Sequence, residues 1–109
     1  MGNSEIQKTL KTNFPNLEEE ALNALVSHAS HIKAIKGTKL IFEGKQHHYT
    51  YFILKGGVKS YYSKNSKEAC MWFAFENEAI GTISTYEGFP SKETVELLKD
   101  SEFIRFEIE

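Results

Sequence analysis

Apolar residues recur with a helical period over the first thirty positions of the chain, and the pattern then changes to short runs. Ile6 and Leu10 lie four residues apart among polar neighbours, which predicts a short amphipathic helix over residues 4–12. Proline at position 15 disfavours a helical conformation at the residue before it, so Phe14-Pro15 should end this helix.

A second helix is predicted directly after this break. The side-chain oxygen of Asn16 could accept from the free amides of its first turn, with Glu19 three residues on, in an arrangement like a capping box. The helix should end near residues 28–31. Its predicted apolar stripe consists of Leu17, Ala21, Leu22, Leu25 and Ala29.

From residue 31 the chain consists of short runs rich in Ile, Phe, Tyr and Val. Glycine-bearing turns separate the first of them at Lys36-Gly37, Glu43-Gly44 and Gly56-Gly57. β-Branched and aromatic residues fit a pleated, half-buried surface, whereas glycine reaches the positive φ values that tight turns need. Strands this close together pair antiparallel, because parallel strands need long crossovers. The predicted strands are 31–36, 39–43, 49–55, 57–64, 68–75, 79–83, 93–98 and 102–108.

These elements predict a mainly β fold with N-terminal helices: an antiparallel jelly-roll barrel. The chain has 109 residues, which suits one domain over 1–109, with helices at about 4–30 and the barrel at about 31–108. Hydrophobic residues make up 40% and charged residues 26%, as in globular domains. The aromatic residues lie mostly within the predicted strands, which suits a β core.

Charge and hydropathy exclude several classes of partner. The net charge is −2 with both signs mixed along the chain, so counterion release to nucleic acid should be small. No window approaches 18 apolar residues, so no membrane contact is expected. The N-terminus has no apolar stretch typical of a secretory signal. We therefore expect a cytoplasmic protein.

The residues typical of metal or redox chemistry are few. Cys70 is the single cysteine, and we expect it to be a small buried residue in a strand. His28 and His31 are three residues apart but lack further ligands, so surface or helix-end positions are expected. His47 and His48 are adjacent and would point to opposite faces of a strand, unlike the metal-binding histidines of a cupin. No catalytic set is present and no metal or cofactor is expected. A cupin-type metal-dependent enzyme or small-molecule-binding jelly roll is the alternative.

The segment "EAIGTISTYEGFPSKETV", residues 78–95, interrupts the strand pattern. Gly81, Gly88 and Pro90 punctuate it, and small hydroxyl residues cluster between them. Irregular loops on a β scaffold often carry functional residues. A plain connection between two strands is the other interpretation, and the pattern alone leaves both open.

Several blocks resemble a known family. After the N-terminal helix come "KGTKLIFEG", "YFILKGGVKSYY", "KEACMWFAFENEAIG" and "FPSKETVELLKDSEFIRFEI". This order is similar to the sensor half of the Crp/Fnr family of bacterial transcription regulators, which share the cyclic-nucleotide-binding jelly roll. The resemblance covers about residues 5–108. The segment "WFAFE" is similar to the corresponding segment in the branch of this family that is common in Bacteroidetes-type bacteria.

The resemblance implies a regulatory input module. In the full-length protein it implies a homodimer and DNA binding only through a C-terminal domain outside these 109 residues. The family's dimerisation helix and helix-turn-helix follow the barrel. The chain is either a fragment of a longer regulator or a stand-alone sensor, and a fragment is expected because an uncovered final strand invites pairing.

The family's cyclic-nucleotide binders carry a phosphate cassette after the sixth strand. A Gly-Glu pair there binds the ribose hydroxyl, and an Arg-Ser or Arg-Thr pair about ten residues later binds the cyclic phosphate. In this chain the first pair reads Gly81-Thr82, or Ile80-Gly81, and neither supplies a glutamate. The second position reads Ser91-Lys92-Glu93, and the only arginine, Arg105, lies in the last predicted strand.

The missing arginine matters because a buried phosphate anion needs a compensating cation, and arginine's planar fork supplies two charge-assisted hydrogen bonds. Lys92 could act as a point charge, but Glu93 beside it would partly cancel its field. Cyclic AMP binding is therefore expected to be weak, and the partner is an unknown small ligand or none. The ligand-binding residues predicted by the resemblance are Gly81, Thr82, Ser91, Lys92, Phe73 and Tyr86, in a pocket also lined by Phe75, Ile83 and Val95.

Overall fold

A computed structural model describes residues 2–46, 48–81 and 90–107, apart from the side chain of Asn3. These residues form two helices, α1 (Asn3–Asn13) and α2 (Glu19–Ser27), followed by eight strands. The strands are β1 (Ala29–Ala34), β2 (Lys39–Ile41), β3 (Tyr49–Lys55), β4 (Gly57–Lys64), β5 (Lys67–Phe75), β6 (Ala79–Ile80), β7 (Thr94–Leu97) and β8 (Ser101–Glu107).

The strands form two four-stranded sheets, with every pair antiparallel. The first sheet has the order β1-β8-β3-β6 and the second has the order β2-β7-β4-β5. Their inner faces pack around a core of large apolar side chains that includes Ile53, Val58, Val95, Leu97 and Phe103, each at most 1% exposed. The predicted fold class, a mainly β antiparallel jelly roll with N-terminal helices, is confirmed.

The helices cover the outer face of the first sheet. Ile6 and Leu10 of α1 and Leu22 of α2 pack against Phe52 of β3 and Ile104 of β8, and all five are at most 2% exposed. The four-residue spacing of Ile6 and Leu10 therefore predicted both the helix and its buried face. No helix among the described residues is both long and apolar enough to cross a membrane.

The predicted start of α2 is wrong, and its predicted apolar stripe is correct only for Leu17, Leu22 and Ala29, which pack in or against the cluster beneath the helices. The N-cap is Glu18, and no side chain caps the helix, so Asn16 does not form the expected capping box. Residues 15 and 16 form a turn, and the Leu17 amide donates to the Phe14 carbonyl at 3.1 Å. Within α2 only Leu22 is buried, since Ala21 and Leu25 are exposed. Ala29 belongs to β1, because the chain enters the first sheet sooner than predicted.

All eight predicted strands are present, and the differences lie at their ends. β1 begins at Ala29 rather than residue 31, and β2 ends at Ile41 because residues 43 and 44 form a turn. β6 covers Ala79–Ile80, and the rest of its predicted length runs into residues outside the described part. The β4–β5 hairpin turns at Asn65 and Ser66, with φ of 53° and 64°, so asparagine and serine occupy left-handed positions without glycine.

At the predicted turns, glycine adopts the positive φ angles that other residues rarely adopt. Gly56 has a φ of 107° between β3 and β4, and Gly37 has a φ of 88° between β1 and β2. The two sites differ in space: a Cβ atom on Gly56 would meet Ser101 Oγ and lie 2.9 Å from the Ser101 Cα. A Cβ atom on Gly37 would have nothing within 4 Å.

Gly56→Ala should therefore destabilise the domain more than Gly37→Ala. In both variants the alanine must adopt a left-handed backbone conformation, which costs about 1–2 kcal/mol. Only Gly56→Ala must also displace the backbone of β8, which adds about 1–3 kcal/mol as in other overpacked sites. Urea unfolding of the two variants measures the difference, and equal midpoints would contradict the close Gly56–Ser101 approach.

A polar group on the outer face of the second sheet has a shifted titration. The Tyr61 hydroxyl donates to Glu96 Oε1 at 2.9 Å, and Lys59 Nζ lies 3.9 Å from Glu96 Oε2. Burial of the ring, then the hydrogen bond and the charge of Glu96, raise the pKa of Tyr61 to about 12.

The folded protein should therefore hold the Tyr61 proton more tightly than the unfolded chain does. The resulting stabilisation is complete below pH 10 and is lost as the pH rises through about 12. Tyr61→Phe should remove a late-titrating component from the absorbance of tyrosinate at 295 nm, whereas Tyr62→Phe should keep it. An unchanged late component in Tyr61→Phe would contradict the Tyr61–Glu96 hydrogen bond.

Candidate functional site

Residues 90–93 lead into β7 and are held against the turn that follows β2. The Ser91 amide donates to the Lys45 carbonyl at 2.9 Å, and the Gly44 amide donates to the Ser91 carbonyl at 2.7 Å. Nearby, the Glu43 amide donates to Thr94 Oγ1 at 3.0 Å. These three bonds fix the position from which the next side chains enter the barrel.

Ser91, which occupies the predicted phosphate-binding position, is used by the backbone instead. Its side chain is buried, at 2% exposure. The hydroxyl donates to the Glu93 carbonyl at 2.7 Å and accepts from the Glu93 amide at 3.2 Å. This local bridge is typical of serine in turns. Ser91 therefore acts as a structural residue that holds Glu93 in place.

Glu93 is a buried residue that the sequence interpretation left out of the candidate site. It is only 7% exposed, and its Oε2 atom accepts a hydrogen bond from Trp72 Nε1 at 3.1 Å. Trp72 belongs to β5, and β4 lies between β5 and β7, so this bond crosses the inner face of the second sheet. No lysine, arginine or histidine of the described part lies within ion-pair distance of the Glu93 carboxylate.

The two-residue spacing of positions 93, 95 and 97 is the signal for Glu93 in the sequence, but the chain bends at residues 92 and 93 before β7 begins. The bond to Trp72 is what places the Glu93 carboxylate on the inner side of the sheet. Val95 and Leu97 are 0% and 1% exposed. Lys92, which was considered as a point charge in place of the missing arginine, is exposed. The carboxylate of Glu93 beside it is buried.

The remaining predicted site residues do not form one pocket in the described part of the chain. Gly81 follows β6 of the first sheet and lines an apolar cavity of about 270 Å³ beneath the helices, together with Leu10, Phe14 and Phe52. Ser91 and Lys92 precede β7 of the second sheet. The predicted residues Thr82, Ile83 and Tyr86 lie outside the described residues.

The predicted pocket-lining roles of Phe73 and Phe75 are wrong. Their side chains are 54% and 43% exposed on the outer face of β5, whereas Trp72 and Ala74 face the core. Val95, the third described lining residue, is fully buried in the core. A one-residue error in the assumed phase of β5 moved the aromatic pair to the wrong face.

Cys70 lies in a strand as predicted, but it is exposed, so its predicted burial is wrong. The pairing of β4 with β5 shifts between Ser60–Trp72 and Tyr61–Cys70, which leaves Met71 as an extra residue. This bulge puts Cys70 on the outer face beside Tyr61, although it is two residues from the inward Trp72.

The histidines and acidic residues of the described part do not assemble into a metal centre. No group of three or more His, Cys, Asp or Glu there could hold a metal ion. His28 is the C-cap of α2, which confirms a helix-end position. His31 lies on β1, with Nε2 3.4 Å from Glu102 Oε1. His47 lies outside the described residues.

Comparisons with known proteins give a family. The family model of the cyclic nucleotide-binding domain matches residues 32–109 of the sequence. Comparison with curated protein sequences found no match. Among solved structures, the sensor domain of the transcriptional regulator DNR from Pseudomonas aeruginosa is similar, with a TM-score of 0.83 and 19% identity over 96% of this chain and 73% of that chain.

Two kinase regulatory proteins have similar folds. The regulatory domain of Toxoplasma gondii protein kinase A, crystallised with cyclic AMP, has a TM-score of 0.82 and 19% identity over 96% of this chain. A triple mutant of the regulatory subunit of a cyclic-AMP-independent protein kinase A from Trypanosoma brucei, bound to cyclic AMP, has a TM-score of 0.81 and 17% identity, also over 96%. This chain spans 41% of each of these two structures. At such identities the likeness concerns the fold.

Ser91→Ala should lower the stability of the domain, because it removes both hydrogen bonds between the hydroxyl and the Glu93 backbone. A buried amide and carbonyl left without partners should cost about 1–3 kcal/mol. Lys92→Ala is the matched control, since its exposed side chain should change the free energy of unfolding by less than about 0.5 kcal/mol. Denaturant unfolding of the two variants provides the comparison, and an equally small effect of both would exclude the structural role of Ser91.

Proposed function

This chain belongs to the cyclic nucleotide-binding domain family, and we propose that it is the non-enzymatic sensor module of a Crp/Fnr-type transcription regulator that does not bind cyclic AMP tightly. The likeness to the sensor domain of DNR supports the regulator assignment. The blocks "KGTKLIFEG" and "YFILKGGVKSYY" support the Crp/Fnr family, and "WFAFE" supports the branch common in Bacteroidetes-type bacteria.

One observation carries the ligand part of this proposal: the charged side chain that enters the barrel at the phosphate-binding position is a carboxylate. Glu93 is buried, while Lys92 beside it is exposed. A cyclic phosphate placed in this region would face a negative charge in a medium of low dielectric, where like charges repel strongly. The loss of a bidentate contact to a buried charge alone costs about 2–5 kcal/mol.

The Trypanosoma brucei protein supports the same physical reasoning. It is a cyclic-AMP-independent regulatory subunit, and its structure with cyclic AMP carries three substitutions, one of which replaces threonine by arginine. We infer that a barrel of this fold keeps its architecture when the phosphate-binding cation is missing. The sensor role of this chain would then depend on a different small ligand, or on none.

In the proposed mechanism, the barrel passes a change of conformation to a following DNA-binding domain. A ligand that favours one arrangement of the cassette segment would shift the population towards it. The full-length regulator would be a cytoplasmic homodimer that contacts DNA only through its C-terminal domain, with no membrane partner.

Calorimetric titration with cyclic AMP and cyclic GMP tests the ligand part directly. We expect no saturable binding in the micromolar range, because a deficit of about 4 kcal/mol lowers affinity about a thousandfold. Lys92→Ala should give the same result as the unmodified chain, since its exposed ammonium does not enter the barrel. Micromolar binding of either nucleotide, or a loss of affinity in Lys92→Ala, would overturn the proposal.

A gain-of-binding variant complements this titration. Ser91→Arg combined with Glu93→Ala adds a cation at the cassette and removes the buried carboxylate, so its affinity for cyclic AMP should exceed that of the unmodified chain at least tenfold. Circular dichroism must show first that the double variant is folded.

A further inference from the structure

The inner face of the second sheet carries two buried polar groups that have few hydrogen-bond or ionic partners among the described residues. Ser60 is fully buried, and its Oγ atom has no hydrogen-bond partner in the described structure. Among the described residues, the buried carboxylate of Glu93 accepts one hydrogen bond, from Trp72, and has no cationic partner. Buried hydroxyls and carboxylates are normally paired, because an unpaired group has lost its water without compensation.

The strand register places these groups together. Ser60 of β4 lies opposite Trp72 of β5 on one side and opposite Val95 of β7 on the other. Glu93 lies in the bend two residues before Val95, and its hydrogen bond to Trp72 places its carboxylate on the same side of the sheet. The indole of Trp72 reaches from β5 to Glu93 and thus crosses the strand that carries Ser60. A hydroxyl, an indole and a carboxylate therefore share one region at this end of the barrel.

The chemistry of the three side chains selects a class of ligand. A carboxylate and a hydroxyl both accept hydrogen bonds from an ammonium group. An indole attracts a cation to its face and offers a large apolar surface. An anion is disfavoured by the charge of Glu93.

We propose that Glu93, Ser60 and Trp72 form a binding site for a small amphipathic amine. Its ammonium group pairs with the Glu93 carboxylate and donates to the Ser60 hydroxyl, and its apolar body packs against Trp72. This inference rests on the proposed function, because it assumes that the barrel does not bind a cyclic nucleotide. It goes further by naming the charge and the chemical class of the ligand.

Trp72 provides the measurement, because it is the only tryptophan of the chain. Its fluorescence is titrated at neutral pH with 2-phenylethylamine and with two compounds of similar size, neutral 2-phenylethanol and anionic 3-phenylpropionate. The amine should give a saturable change with one site per chain. The alcohol should bind at least tenfold more weakly, and the carboxylate should give no saturable change.

Single-residue variants distinguish amine binding at this site from non-specific amine binding to the protein surface. Glu93→Gln keeps the size of the side chain and an acceptor oxygen for Trp72 but removes the charge, so it should weaken amine binding at least tenfold and leave the alcohol unchanged. Ser60→Ala should weaken amine binding severalfold. Glu96→Gln is the matched control: its carboxylate lies on the outer face of the same sheet, paired with Tyr61 and Lys59, and amine binding should be unchanged.

The outcomes distinguish this inference from the proposed function. Equal binding of all three compounds, no saturable response to the amine, or amine binding that survives Glu93→Gln would overturn the inference. None of those results contradicts the proposed function, a sensor that does not bind cyclic nucleotides tightly. That proposal is tested separately, by calorimetry with the nucleotides. Thermal unfolding of each variant confirms that a lost response is not a lost fold.

Discussion

The hydrogen bond between Glu93 and Trp72 is the interaction on which the candidate site depends. It joins the segment before β7 to β5 across the intervening β4. Within β7, Val95 and Leu97 alternate into the core, and the Ser91 hydroxyl holds the turn that precedes this strand. These contacts place the Glu93 carboxylate on the inner face of the second sheet, whereas the side chain of Lys92 is exposed.

Burial of Glu93 costs free energy that the rest of the domain must supply. The Ser91 hydroxyl satisfies both backbone groups of Glu93, and the Trp72 indole satisfies one carboxylate oxygen. Neither contact neutralises the charge. No cation among the described side chains pairs with this carboxylate, and this is the observation from which the amine site is proposed.

Local patterns predicted the elements well and their faces less well. Eight short β-rich runs became eight strands, and the spacing of Ile6 and Leu10 placed α1 on the sheet. The predicted burial of Cys70 was wrong because β5 has a bulge at Met71. The predicted faces of Phe73 and Phe75 were wrong because the assumed phase of β5 was off by one residue. A single extra residue reverses the inward and outward positions on either side of it, and composition carries no sign of it.

Residue type and short-range spacing were enough to predict the jelly-roll class, the eight strands of the described residues and the absence of an arginine before the last strand. The packing of the folded chain was needed to show that the Ser91 hydroxyl bonds to backbone groups, that Lys92 is exposed and that Glu93 bonds to Trp72 across β4. Those facts depend on strands far apart in the chain coming into register, and register is set by the packing of the whole core.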